Sequence, residues 1–165
     1  MKKNNIVYTA IKNEIAKFSV PLPPSAAIAG IYASVDNNSG VWKTPANISL
    51  RNVTAPSVSI NDVDQQALYV DVNAGKSINV IRNFPGKGTV IWGARTLAGN
   101  DNEWRYISVC RFFVMAENSV QNALKSFVLE SNDNITWATV KSMISDFLYV
   151  QWMQGALQRA KPEEA

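Results

Sequence analysis

The 165 residues contain no histidine and a single cysteine, Cys110. Without histidine there is no imidazole to activate a serine or cysteine nucleophile, and the commonest nitrogen ligand of zinc is missing. One cysteine excludes an intrachain disulfide and any site built from paired thiolates, so the fold needs no oxidising compartment. Charge is scarce as well, with Asp, Glu, Lys and Arg making up 18% of the chain, against about 25% in ordinary soluble domains. Such a surface is either covered by partners or is a neutral polar surface, since Asn and Ser are plentiful. The 16 Lys and Arg exceed the 13 Asp and Glu by only three. They are scattered, with no Arg-rich run and no aromatic-plus-basic motif, which argues against nucleic acid as the partner. No apolar stretch reaches the roughly 18–20 residues of a membrane span. Ile6 to Ile11 is short, broken by Thr9 and followed by Lys12, Glu14 and Lys17, which reads against a secretion signal.

What is present is apolar: 47% of residues are hydrophobic and the mass is 18.2 kDa, enough for one domain with its own core. Pro85-Gly86-Lys87-Gly88 joins a residue of fixed φ to two that tolerate positive φ, which predicts a turn. Thr89 to Trp92 is β-branched and aromatic, and Ile78 to Arg82 alternates apolar with polar. These read as two strands flanking the turn, at the centre of a sheet with helices from both ends of the chain packed on it. Toward the N-terminus, Ser25 behind Pro23-Pro24 is suited to cap a helix from Ala26 to about Val35, ended by Asp36-Asn37-Asn38-Ser39-Gly40. Gly30 inside that helix predicts close approach of another backbone. Gly40 to Asn47 is extended because Pro45 disfavours the helical region for Thr44. Ile48 to Ile60 reads as irregular, strand-like chain with Pro56 at an edge, and Asn61 heads a short capped helix through Leu68. Toward the C-terminus, Tyr106, Val109, Cys110, Phe113, Ala116, Val120, Leu124 and Phe127 form one apolar face of a long helix lying across the sheet. Ser131 to Asn134 breaks it and caps a second helix beside it, with Trp137, Val140, Ile144, Phe147 and Leu148 on one face. Residues 1–20 fit either a short helix or an irregular arm. The fold class is therefore α/β (α+β), a mixed β-sheet with two long helices packed on it.

Few residues offer chemistry. Gly86-Lys87-Gly88-Thr89 superficially resembles a phosphate-binding loop, but the glycines precede a strand instead of opening a helix, and a hairpin turn explains them. Glu130 with Asp133, and Asp62 with Asp64, are close enough in sequence to act as acid and base. Both pairs fall where helices start or stop, so capping and the helix dipole account for them. Trp92, Arg95, Trp104 and Arg111 combine into a pocket with Arg stacked on indole, or else the tryptophans are core and the arginines bridge carboxylates or carbonyls within or between subunits; the second reading is preferred. Cys110 reads as a small buried hydrophobe. Neither a catalytic, a cofactor nor a metal site is expected.

Several segments, in order, resemble the C-terminal domain of contractile phage-tail sheath proteins. They are Pro23 to Ala33, then Gly40-Val41-Trp42-Lys43-Thr44-Pro45-Ala46-Asn47, then Trp92-Gly93-Ala94-Arg95-Thr96-Leu97. Trp104 to Arg111 resembles a motif ending in two arginines, of which Cys110 replaces the first and Arg111 stands as the second. Phe127 to Asp133, Trp137 and Gly155-Ala156-Leu157 complete a likeness covering roughly residues 20–165. The resemblance implies a non-enzymatic structural subunit, without cofactor or metal, of a virion tail or phage-tail-like particle. Such subunits polymerise around an inner tail tube and contract to drive it through a target envelope. Partners implied are other sheath subunits, the inner tube protein, and baseplate or terminator proteins, with no membrane and no nucleic acid, and with assembly in the bacterial cytoplasm. Extended arms that add strands to a neighbour's sheet are also implied, a form of β-augmentation. The structural motif residues are then Gly40, Val41, Trp42, Lys43, Pro45, Asn47, Trp92, Gly93, Arg95, Thr96 and Arg111, with Arg95 and Arg111 as buried or interfacial anchors. An acidic inner tube would meet Lys141, Arg159 and Lys161. Residues 1–20 are unmatched, and 21–165 lack the further strands and C-terminal arm with which the family continues. The alternative reading is a non-enzymatic nucleic-acid or ligand-binding module on the same fold.

Overall fold

In the computed structural model, residues 5–71 and 73–157 are described. The chain runs α1 Asn5–Lys17, α2 Ser25–Ser39, β1 Ile48–Ser49, α3 Asp62–Tyr69, β2 Val80–Phe84, β3 Gly88–Trp92, α4 Ile107–Leu124, a 3-10 turn Lys125–Phe127, and α5 Asn134–Met153. The class is α+β as expected. The sheet, however, is antiparallel throughout and not mixed, with three strands in the order β1-β3-β2. A hairpin turn joins β2 directly to β3, so the crossover that a parallel pair requires never arises.

β3 is the central strand, and its Thr89, Val90 and Ile91 are buried in succession because both of its edges are paired. The turn predicted at Pro85-Gly86-Lys87-Gly88 closes through the Lys87 N–H to the Phe84 carbonyl, 3.1 Å. β2 lies two residues later than its periodicity implied, because Phe84 extends the ladder to Gly88. Of the strand-like chain from Ile48 onward only β1 pairs; Asn47 N–H to Ile91 O and Leu50 N–H to Thr89 O, both 2.8 Å, extend its hold on β3. α3 begins as its sequence requires. The Asn61 side chain accepts from the Val63 and Asp64 N–H groups, and Asp64 accepts in return from the Asn61 N–H, a complete capping box. Asp133 caps α5 by accepting from Ile135 and Thr136 N–H, and the Thr136 bond foremost holds its carboxyl below the ordinary value.

Of the two forms expected for residues 1–20, residues 5–17 take the helix, α1, which buries no side chain. Other elements depart from expectation. α2 reaches Ser39, four residues further than predicted; Pro24 stands at its N-cap in the helical region, and Ser25 makes no cap bond. The helix stops at Gly40, whose φ of 106° is closed to L side chains and whose missing Cβ leaves room for Trp42, which would come within 2.5 Å of it. Gly30 meets nothing within 4 Å, so no backbone approaches it in the isolated chain.

Among the described residues neither α4 nor α5 comes into close backbone contact with the sheet, or with the other, along its length. Phe112, outside the predicted stripe, is the side chain that α4 buries, and α5 buries none. Periodicity reports that a helix has an apolar face, but not what covers it. Among the described residues the buried hydrophobic side chains are Val35, Val80, Val90, Ile91 and Phe112, and Pro45 is fully enclosed as well. That small core leaves 12731 Å² of accessible surface, against roughly 8,000 Å² for a compact monomer of this mass.

Two glycines with opposite surroundings test this packing. Gly40→Ala is expected to destabilise by about 2 kcal/mol or more through backbone strain and the Trp42 clash, whereas Gly30→Ala, in open space on a helix, should stabilise by about 0.5–1 kcal/mol. Chemical denaturation of the two variants reads both signs.

Candidate functional site

Where β3 ends, the chain turns at Gly93, φ 133°. A Cβ there would meet the Asn79 Cα at 3.1 Å and its Oδ1 at 2.7 Å. That closeness lets the Asn79 side chain stand in for a strand: its Nδ2 donates to the Arg95 carbonyl at 2.8 Å, and the Arg95 N–H donates to Oδ1 at 2.9 Å. With the backbone of Arg95 held, Arg95 and Tyr106 form an antiparallel bridge. The Ile107 N–H reaches the Ala94 carbonyl at 3.0 Å, and the Thr96 N–H reaches the Arg105 carbonyl at 2.9 Å. Thr96 Oγ1 donates to the Trp104 carbonyl at 2.6 Å, so residues 96–105 close into a loop that delivers the start of α4. Inside it, Asp101 accepts from the Trp104 and Glu103 N–H groups, which lower its carboxyl below the ordinary value.

The Arg95 side chain then stacks on Tyr69 of α3, 4.0 Å from guanidinium to ring centre, with Tyr106 at 5.7 Å. Arg105 approaches the same Tyr106 ring at 5.4 Å. Neither guanidinium has an ion pair among the described residues. The Nε atoms of both are buried without a hydrogen-bond partner, and Arg105 Nη2 donates to Asn102 at 2.9 Å. Two cations thus share one aromatic cluster, with the Asp101 carboxylate acting on Arg105 from within the loop and Arg95 without an ion pair among the described residues.

Arg111 behaves differently. Its Nη1 and Nη2 grip both oxygens of Asp36, at 2.9 and 2.5 Å, and its guanidinium lies 4.8 Å from the Tyr32 ring centre. This bidentate pair ties α4 to α2. Beside it a shallow cleft is lined by Val41, Cys110, Arg111, Val114 and Met115.

The pocket combining Trp92, Arg95, Trp104 and Arg111 does not form. Trp92 packs on Phe84 and Trp104 on Phe113, each at 4.9 Å, while both arginines choose tyrosines. The tryptophans are not core either, at 36% and 39% exposed. Cys110 is half-buried, its thiol donating to the Trp104 carbonyl at 3.3 Å, and is not an enclosed hydrophobe. Gly40, Val41, Trp42, Lys43, Pro45 and Asn47 together form the tight link from α2 to β1; Pro45 is enclosed, Lys43 is exposed, and Asn47 adopts φ 59° and accepts from Lys87 Nζ. Three of the four paired carboxylates have structural employment: Asp62 meets Arg82 at 2.7 Å, while Asp64 and Asp133 cap helices; Glu130 makes no side-chain bond among the described residues. Lys141 is exposed on α5; Arg159 and Lys161 lie outside the described residues. Asn79, Tyr69, Tyr32 and Asp36 escaped the sequence reading as site members. The one available signal was the polar Asn79 beside apolar Val80 and Ile81.

Both arginine clusters are devices of cohesion, holding helices and strand ends in register, on a chain with much uncovered apolar surface. The model of the phage tail sheath protein central domain matches residues 2–97, and the chain belongs to the phage tail sheath family. It is 28% identical over 130 residues to the tail sheath protein of Vibrio phage KVP40, covering 77% of this chain and 19% of that one. To the tail sheath protein of Enterobacteria phage T4 it is 25% identical over 130 residues, again 77% of this chain and 19% of the other. Among solved structures it is similar to a chain of the PVC sheath complex in its contracted state, from an extracellular contractile injection system, at 41% identity and TM-score 0.82, covering 89% of this chain and 40% of that one. It is also similar to a chain of the anti-feeding prophage baseplate at 45% identity and TM-score 0.81, covering 88% and 39%. The chain therefore spans about a fifth of these phage relatives and about two fifths of these structural ones.

If the amide clamp positions this region, Asn79→Ala should lower stability by about 1–2 kcal/mol through loss of its two bonds. Asn83→Ala, an exposed position one turn of the pleat away, should change it by less than about 0.5 kcal/mol. Urea titrations of both variants decide the point.

Proposed function

We propose that this chain is a non-enzymatic structural segment of a contractile tail sheath, which joins further copies into a helical tube around an inner tail tube. The observation that carries the reading is the likeness to the contracted PVC sheath complex, at 41% identity over 89% of this chain. The surface supports it. Apolar side chains such as Ile6, Ile11, Ile15 and Phe18 on α1, and Trp137 and Met153 on α5, stand in solvent in the isolated chain, a state that association relieves. Among the described residues no strand pairs with the outer edge of β2, which leaves it open to a further strand, as β-augmentation requires.

On this reading residues 21–165 act as the sheath domain and 1–20 as an arm that reaches a neighbour, a division supported by α1 burying no side chain, although the family match itself begins at residue 2. The family's likeness to baseplate structures extends the partners to baseplate proteins. The particle is a virion tail or a phage-tail-like injection device, assembled in the bacterial cytoplasm. Lys141, together with Arg159 and Lys161, faces an acidic inner tube; Lys141 is exposed and makes no ion pair among the described residues.

Electron microscopy of the purified chain mixed with an inner-tube protein tests the proposal. Rings or coated tubes are expected at low salt, with coating weakened when Lys141, Arg159 and Lys161 are reversed to Glu. A chain that stays monomeric and ignores the tube contradicts the function; coating indifferent to the three reversals and to salt contradicts the tube-contact assignment.

A further inference from the structure

The geometry points to a specific contact between copies: we infer that Arg95 and Arg105 of one chain receive the carboxylate of Glu130 from a second. The inference rests on the reading that copies associate, and adds which surfaces meet. On the receiving side, two guanidiniums share the Tyr106 ring, their Nε atoms are buried and unbonded, and among the described residues neither is in an ion pair, Asp101 acting on Arg105 only from a distance. Stacking on Tyr69 at 4.0 Å already restrains Arg95, so little side-chain freedom remains to be lost when a carboxylate docks. The planar fork of donors suits a bidentate anion. Around the arginines, Tyr69, Tyr106 and Trp104 are each about two fifths exposed and offer apolar contact beside the charge.

The donor side follows from an account of the acidic residues. Asp36 is held by Arg111, Asp62 by Arg82 and Glu14 by Lys17. Asp64, Asp71, Asp101 and Asp133 accept backbone N–H groups. Asp146 is within 3.5 Å of the Ser142 hydroxyl. Among the described carboxylates Glu103, Glu117 and Glu130 make no side-chain hydrogen bond or ion pair, and of these Glu130 sits exposed at the bend between the 3-10 turn and α5. Its N–H bonds the Phe127 carbonyl at 3.1 Å, which fixes the elbow. Its neighbours Val128 and Leu129 are 74% and 98% exposed, so the carboxylate is presented with an apolar tip. The receiving site offers cations among aromatic faces, and the elbow offers an anion beside aliphatic ones. Each feature is unsatisfied within one chain, and the two are separate surfaces of it. Joined between copies they make a heterologous, head-to-tail contact, the kind that propagates into rings or helices instead of stopping at a dimer.

Sedimentation velocity of the purified chain at low salt, over a concentration series, supplies the test with Arg95→Glu and Glu130→Arg. Each variant alone should associate at least tenfold more weakly than the parent, since like charges then face each other. An equimolar mixture should recover association to within about threefold, because alternating copies restore opposite charges at every contact. Circular dichroism melts check folding; should Arg95→Glu unfold, Arg105→Glu takes its place in both measurements. Glu130→Arg alters only an exposed elbow, and if it associates like the parent the contact is wrong. A mixture no better than the separate variants overturns it too. A parent chain that associates while Glu130→Arg makes no difference sinks this contact and leaves the sheath reading standing; a parent that stays monomeric with and without inner-tube protein sinks both.

Discussion

The amide of Asn79 paired with the backbone of Arg95 is the constraint on which the rest of the structure depends. β3 is the one strand paired on both edges, and beyond Trp92 its ladder has no further partner strand. Side-chain pairing from Asn79 prolongs the ladder past Gly93, and the prolonged segment accepts the Ile107 N–H that starts α4. From there Arg111 reaches back to Asp36 and anchors α2. Core, connecting loop and two helices are thus linked in series through one hydrogen-bonded turn. Backbone groups at such a turn must be satisfied somewhere, and here a side chain does it.

What this chain of contacts does not do is bury much. Among the described residues five hydrophobic side chains are core, while α1 holds its apolar residues in water and α5 leaves Ile135, Trp137 and Met153 exposed and Val140, Ile144 and Phe147 half-covered. A monomer of this kind sits near the lower limit of stability, because apolar burial is the main term opposing chain entropy. Under the proposed function, association with neighbours supplies the missing burial, and the subunit's folding and its assembly become parts of one equilibrium. The low proportion of charge fits the same account, since charged residues are depleted at the centre of interfaces.

Local features were legible in the sequence where their cause is local. Asn61 three residues before Asp64 announced the capping box, Asp133 announced the start of α5, and Pro85-Gly86 announced the hairpin turn. The α+β class followed from those elements, and the ordered motifs, from Gly40-Val41-Trp42 to Trp92-Gly93-Ala94-Arg95, carried the family. Features with distant causes were not legible. Arg111 and Asp36 are 75 residues apart, and no spacing rule joins them. Asn79 looked like the polar half of a strand's alternation, although its amide is spent on Arg95, 16 residues on. The apolar stripe of α4 was read as a face lying on the sheet; the stripe exists, but nothing in its period distinguishes a sheet of the same chain from a neighbouring subunit. Gly30 carries the same lesson, for a small residue on a helix invites close approach without naming the visitor.

Amide hydrogen exchange on the chain, alone and after assembly onto an inner tube, tests most directly the claim that this is a folded element whose apolar faces are completed by neighbours. The account predicts that β3 is protected in both states, while α1 and α5 gain at least about tenfold protection on assembly. Helices α1 and α5 that exchange alike in both states would contradict it.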